Sequence, residues 1–129
     1  MLSMDYSPEV LQRFASPERV GGFMEGLDGL VMGEAEDRSL NVWVQFQVQW
    51  IDNRLERVRF QVYGCPHTVA AASWLAQCLE GKAVDALLRL DMQAVARALD
   101  VPLEKMGKLL RIEDALHACW RAGSDREKT

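Results

Sequence analysis

A chain of 129 residues that is 49% hydrophobic and 26% charged has the size and make-up of one globular domain, and is too apolar to be a disordered chain. The net charge of -4 and pI near 5.2 speak against a general affinity for nucleic acid or anionic membrane surfaces. No run approaches the ~20 apolar residues of a membrane span. Residues 1–10 carry Asp5 and Glu9 but no basic leader or apolar run, so the expected location is the cytoplasm. Cys65, Cys78 and Cys119 are odd in number and widely spaced, which makes a disulfide framework unexpected.

In chain order, Ser7-Pro8-Glu9 predicts a helix start running through Phe14, since Ser caps free amides, Pro tolerates the first helical position and Glu suits the positive end. Ser16-Pro17 to Gly21-Gly22 then predicts a loop. Leu27 to Met32 is a candidate strand. Asn41 to Trp50 alternates, with Val42, Val44, Phe46, Val48 and Trp50 on one side and glutamines on the other, the pattern of a half-buried strand. Trp43 breaks the polar side and is read either as packing under a helix, the favoured reading, or as marking a contact surface. A turn at Ile51 to Arg54 leads into a second arm with Val58, Phe60 and Val62.

After Tyr63-Gly64-Cys65-Pro66 the apolar period becomes helical through Leu79, and Gly81 ends the run. Further helical segments are predicted near Ala83 to Leu88, Asp91 to Leu99, and from Pro102 or later to Ala122. Residues 1–5 and 124–129 are expected to fray. Strands first and helices afterwards predict an α+β domain over 1–129: a small antiparallel three-stranded sheet with an N-terminal helix and C-terminal helices packed on one face. Cys78 and Cys119 share helix faces with Trp74, Leu75, Ile112 and Leu116 and are read as buried structural cysteines. His117 lies off that stripe and is read as a surface residue. No Gly-x-Ser-x-Gly, phosphate loop or zinc-protease motif occurs, so the chain is not read as an enzyme.

The blocks Tyr6 to Val10, Ser16 to Gly22, Arg59-Phe60-Gln61-Val62-Tyr63-Gly64-Cys65 with Leu79-Glu80-Gly81-Lys82, and Glu113-Asp114-Ala115-Leu116 occur in one order and spacing. Together they resemble the IscU/NifU (SufU-like) iron-sulfur cluster assembly scaffolds over nearly the whole chain. The resemblance implies a protein on which a cysteine desulfurase delivers sulfur and a cluster is built. Its ligand set implies one Cys from an Ala-Cys-Gly-Asp loop, one from Tyr-Gly-Cys and one from a His-Cys pair opening the last helix. Here only Cys65 is kept. Arg38 stands near the lost first Cys, Leu40 near the lost Asp, and Gly107 and Lys108 over the lost His-Cys pair. The chaperone-docking segment becomes Val101-Pro102-Leu103-Glu104-Lys105, leaving Pro102, Lys105 and Trp43 as candidate partner contacts.

One cysteine cannot hold a cluster that needs four ligands, and Arg or Lys at ligand positions repels an incoming metal. The same cations would favour a Cys65 thiolate able to accept sulfur, whereas the competing reading makes Cys65 a small residue packed in its turn. A weaker metal site would pair Cys65 with His67, completed to Cys2His2 for zinc or a small cluster only by a homodimer or a partner. A weaker one still would join Glu34, Glu36 and Asp37 to Cys65. Two functions follow: an accessory or divergent scaffold that uses Cys65, or an interaction module that binds a desulfurase or a true scaffold without metal.

Overall fold

The computed structural model describes residues 6–22 and 26–127; the expectation that residues 1–5 fray lies outside them. Helix α1 spans Pro8–Ala15, and Val10 N–H donates to its capping Ser7 Oγ at 3.3 Å. Ser7 Oγ–H in turn donates to Leu99 O at 2.8 Å, so one serine both starts the helix and ties it to a distant element. The following loop does more than connect. Gly21 N–H donates to Phe60 O and Phe60 N–H to Arg19 O, closing the outer edge of the third strand.

Strands β1 (Leu30–Asp37), β2 (Val42–Ile51) and β3 (Arg54–Tyr63) form an antiparallel sheet in that order. The hairpin between β2 and β3 turns on Asp52 and Asn53, both with positive φ, a conformation these two residue types tolerate better than most. Strand β1 begins three residues later than the predicted strand and continues past its predicted end at Met32 through Glu34-Ala35-Glu36-Asp37, which the resemblance sets in the Ala-Cys-Gly-Asp loop. Pairing decides this: each of those residues has a partner on β2, from Glu34 opposite Gln45 to Asp37 opposite Val42.

The inner face of β2 is fully apolar and buried, with Val42, Val44, Phe46, Val48 and Trp50 meeting Phe60, Leu55 and Val58 of β3. Helix α2 (Pro66–Leu79) and the long α4 (Met106–Glu127) cover that face, and a short 3-10 turn (Val84–Leu88) and α3 (Met92–Leu99) complete the core. Gly33 is what lets α4 approach β1. A Cβ at Gly33 would collide with the Ala115 carbonyl and the Cys119 amide of the helix backbone. Helix α4 runs to Glu127, past the predicted end at Ala122, and Arg126 guanidinium nitrogens reach Leu30 O and Trp50 O, both at 3.4 Å.

Three further sequence expectations are corrected. Trp43 lies on the outer face, half-buried, with its indole Nε1 donating to Glu34 Oε2 at 3.2 Å, because the strict alternation of β2 turns it away from the helices. Cys78 is exposed, since the apolar stripe of α2 lies on its other side with Leu75, Ala76 and Leu79. Glu34 and Glu36 cannot join Asp37 around one metal, because they alternate to the outer face and Asp37 does not.

Candidate functional site

Cys65 is the N-cap of α2, in extended conformation, with Pro66 in the first helical position. Chain direction changes here because Tyr63 closes β3, Gly64 follows, and the helix begins at once. Gly64 is needed for closeness: a Cβ there would stand 3.2 Å from Thr68 Cβ. Thr68 N–H and Val69 N–H donate to Cys65 O at 3.0 and 3.1 Å, and Cys65 Sγ lies 3.4 Å from Thr68 Oγ1. The sulfur is half-buried. Burial is the largest influence on its pKa and pushes it up. The Thr68 hydroxyl, the amides of Thr68 and His67, and the Lys108 ammonium act the other way and together hold the thiol below its ordinary value. A thiolate at a helix N-terminus beside a cation has the character of a nucleophile.

The positions expected around Cys65 divide. Lys108, in the first turn of α4, does act on the sulfur. Arg38 points elsewhere: its side chain is 91% exposed and pairs with Glu36 at 3.8 Å. There, on the outer side, it lines a shallow cavity of about 330 Å³ with Glu36, Asn41, Val42, Trp43 and Tyr63. Leu40 and Gly107 meet each other, for a Cβ at Gly107 would be 3.1 Å from Leu40 Cδ1. Two positions aligned with metal ligands thus hold an apolar side chain and the glycine that makes room for it. Asp37 fixes the loop that carries Leu40. Its Oδ1 accepts from Ser39 Oγ at 2.6 Å and Leu40 N at 3.2 Å, while Oδ2 pairs with Arg111 of α4 at 3.7 Å. Those contacts, led by the Ser39 hydroxyl, keep the Asp37 carboxyl below the usual range.

His67 is 1% exposed and lies against Tyr6, ring centroids 4.7 Å apart, with neither ring nitrogen hydrogen-bonded among the described residues. Burial, reinforced by Lys105 and Lys108 and opposed by Glu104 and Asp100, lowers its pKa. Burial and the two lysines thus both disfavour the charged form of the ring. Among the described residues no group of three or more His, Cys, Asp or Glu side chains is placed to hold a metal ion. The donors present therefore do not fit a cluster held by one chain, which requires four ligands. Pro102 and Lys105 are half-buried, with 86% exposed Leu103 between them.

Thr68 and the Leu40–Gly107 contact escaped the sequence reading. A Cys-x-x-Thr spacing at a helix start places a hydroxyl one turn above the capping residue, and that signal was available. The Leu40–Gly107 contact joins residues that the resemblance sets at lost ligand positions, but nothing in the sequence says that they pack on each other.

The sequence profile described as "NifU-like N terminal domain" matches residues 5–128. The chain is 31% identical over 102 residues to "Iron-sulfur cluster assembly scaffold protein IscU 1" of Archaeoglobus fulgidus, covering 78% of this chain and 65% of that protein. It is 26% identical over 116 residues to "Iron-sulfur cluster assembly scaffold protein IscU" of Escherichia coli, covering 89% and 91%. In fold it is similar to the N-terminal part of a NifU-like protein from Brucella abortus, with a TM-score of 0.75 at 18% identity over 97% of this chain and 98% of that one. The α+β architecture with a three-stranded antiparallel sheet is thus shared with these scaffolds, and the chain belongs to the NifU-like N-terminal domain family.

Proposed function

We propose that this protein acts in iron-sulfur cluster assembly as a divergent, scaffold-like sulfur acceptor, taking sulfur on Cys65 from a cysteine desulfurase without holding a cluster by itself. The observation that carries this reading is the Cys65 thiol itself: capped onto α2, bonded to Thr68 and within the field of Lys108. The family supplies the pathway, since relatives are named as assembly scaffolds. The missing ligands and the Leu40–Gly107 contact argue against a cluster on one chain. On this reading the protein is a stoichiometric carrier rather than an enzyme, and the cluster is a cargo completed elsewhere. Anaerobic incubation with ferrous iron and sulfide tests the second half. The expected result is no stoichiometric iron-sulfur absorbance on the monomer, and its appearance would contradict the reading.

A second reading, a module that binds assembly proteins without using its thiol, is favoured by one observation: 86% exposed Leu103 beside Pro102 and Lys105, at the position of the family's docking segment. Cys65→Ser separates the two. A sulfur acceptor loses its role with partner binding intact, whereas a docking module loses nothing.

A further inference from the structure

We infer that Thr68 is the positioning residue of the Cys65 thiol, its hydroxyl donating to the sulfur as that sulfur attacks; this rests on the reading of Cys65 as a sulfur acceptor. Three observations converge on it. Thr68 is fully buried, yet among the described residues its hydroxyl bonds to Cys65 Sγ and not to the carbonyl one turn back, the partner a helical Thr commonly takes. Its backbone amide is fixed on Cys65 O at 3.0 Å, and the glycine at 64 leaves room for the side chain, since a Cβ there would stand 3.3 Å from Oγ1. The backbone that carries the hydroxyl is thereby anchored to the residue that carries the sulfur. Either atom can donate when the thiol is protonated, but a thiolate has no proton to give. In the reactive form Thr68 must be the donor.

The step this serves is an exchange at sulfur. The Cys65 thiolate attacks the outer sulfur of a protein persulfide, a new S–S bond forms on Cys65, and the donor's S–S bond breaks. The donor's inner sulfur leaves as a thiolate with the bonding pair, and any proton on the outer sulfur travels with it. Sulfane sulfur changes carrier without net oxidation or reduction. Attack requires the Sγ lone pair to face the incoming sulfur, and a fixed hydroxyl on one side of Sγ restricts the rotation that would turn it away. Lys108 contributes charge from α4, and Thr68 contributes direction.

The test uses the full chain in a Cys78→Ser background, which removes the exposed second thiol; Cys119 is buried, with its pKa pushed up to about 12. Two rates are measured at one fixed pH: alkylation of Cys65 by iodoacetamide, and single-turnover sulfur transfer from a persulfide-loaded cysteine desulfurase. Loss of one charge-assisted hydrogen bond predicts that Thr68→Val slows both by about tenfold, and that Thr68→Ser stays within about twofold of the parent. Native-rate alkylation in Thr68→Val overturns the inference. So does a Thr68→Ser chain as slow as Thr68→Val, because the methyl rather than the hydroxyl would then matter. Should Thr68→Val unfold, Thr68→Ala against Thr68→Ser gives the same contrast. Alkylation that depends on the hydroxyl in a chain that takes no sulfur leaves the positioning role standing and removes the sulfur-acceptor reading alone.

Discussion

Opposing influences meet at Cys65, where burial works against the thiolate and the helix amides, Thr68 and Lys108 work for it, with the second group prevailing. Removing the Lys108 charge takes one of them away. Lys108→Met is expected to slow Cys65 alkylation near neutral pH by several-fold, measured against the pH profile of the native chain. Cys119 behaves oppositely: buried, with its pKa raised to about 12 and its Sγ donating to Phe46 O at 3.4 Å, it stays unlabelled until the protein unfolds. The sequence could say which residue types occupy these positions but not where they aim. Counting along the chain brought Arg38 to the lost ligand position, while its side chain turned to Glu36 and solvent. A loop alignment carries no side-chain direction. Glu80 was legible only as part of a family block. It accepts from Val58 N at 2.9 Å and pairs with Arg19 and Arg59, each at 3.0 Å. Burial opposes its ionisation, but these partners outweigh it and hold the pKa below the usual value. A carboxyl with a depressed folded pKa contributes stability above its unfolded value, and loses it as pH falls through the folded one. Glu80→Ala is expected to cost about 2 kcal/mol at neutral pH, measured by urea unfolding. The gap to the native chain should begin to narrow as pH falls below the ordinary Glu value of about 4.3 and go on narrowing as it passes through the lower folded value.

Among the elements, those whose pattern is local were legible. The alternation of β2, the Ser7 cap and the helical period after Cys65 appear in the structure within a residue or two. Strand β1 was legible only in part, because Gly33 and three acidic residues have weak strand preference and are held extended by pairing with β2. The end of α4 was missed for a similar reason. Its polar residues stay helical through Arg126 and through Gly123, whose missing side chain admits the Trp50 ring. Close backbone approach makes Gly33 the more sensitive position. Gly33→Ala forces α4 off the sheet and is expected to cost about 3 kcal/mol, read from thermal or urea unfolding. Gly107→Ala meets only the end of the Leu40 side chain, and a helix-propensity gain of roughly 1 kcal/mol leaves it near neutral.

At the scale of the molecule, the sheet and helices are shared with NifU-like structures, while the positions that the sequence resemblance assigns to lost ligands carry other contacts. Leu40 packs on Gly107 and Arg38 pairs with Glu36, and on the proposed reading Cys65 is the thiol that remains. The central claim concerns sulfur rather than iron, and one measurement addresses it most directly: peptide mass analysis of this protein after incubation, without iron, with a cysteine desulfurase and cysteine. The expected result is the mass of one or more added sulfur atoms on the peptide containing Cys65, removed by a reducing thiol and absent in Cys65→Ser. A desulfurase fully loaded with persulfide that leaves Cys65 unmodified would contradict it.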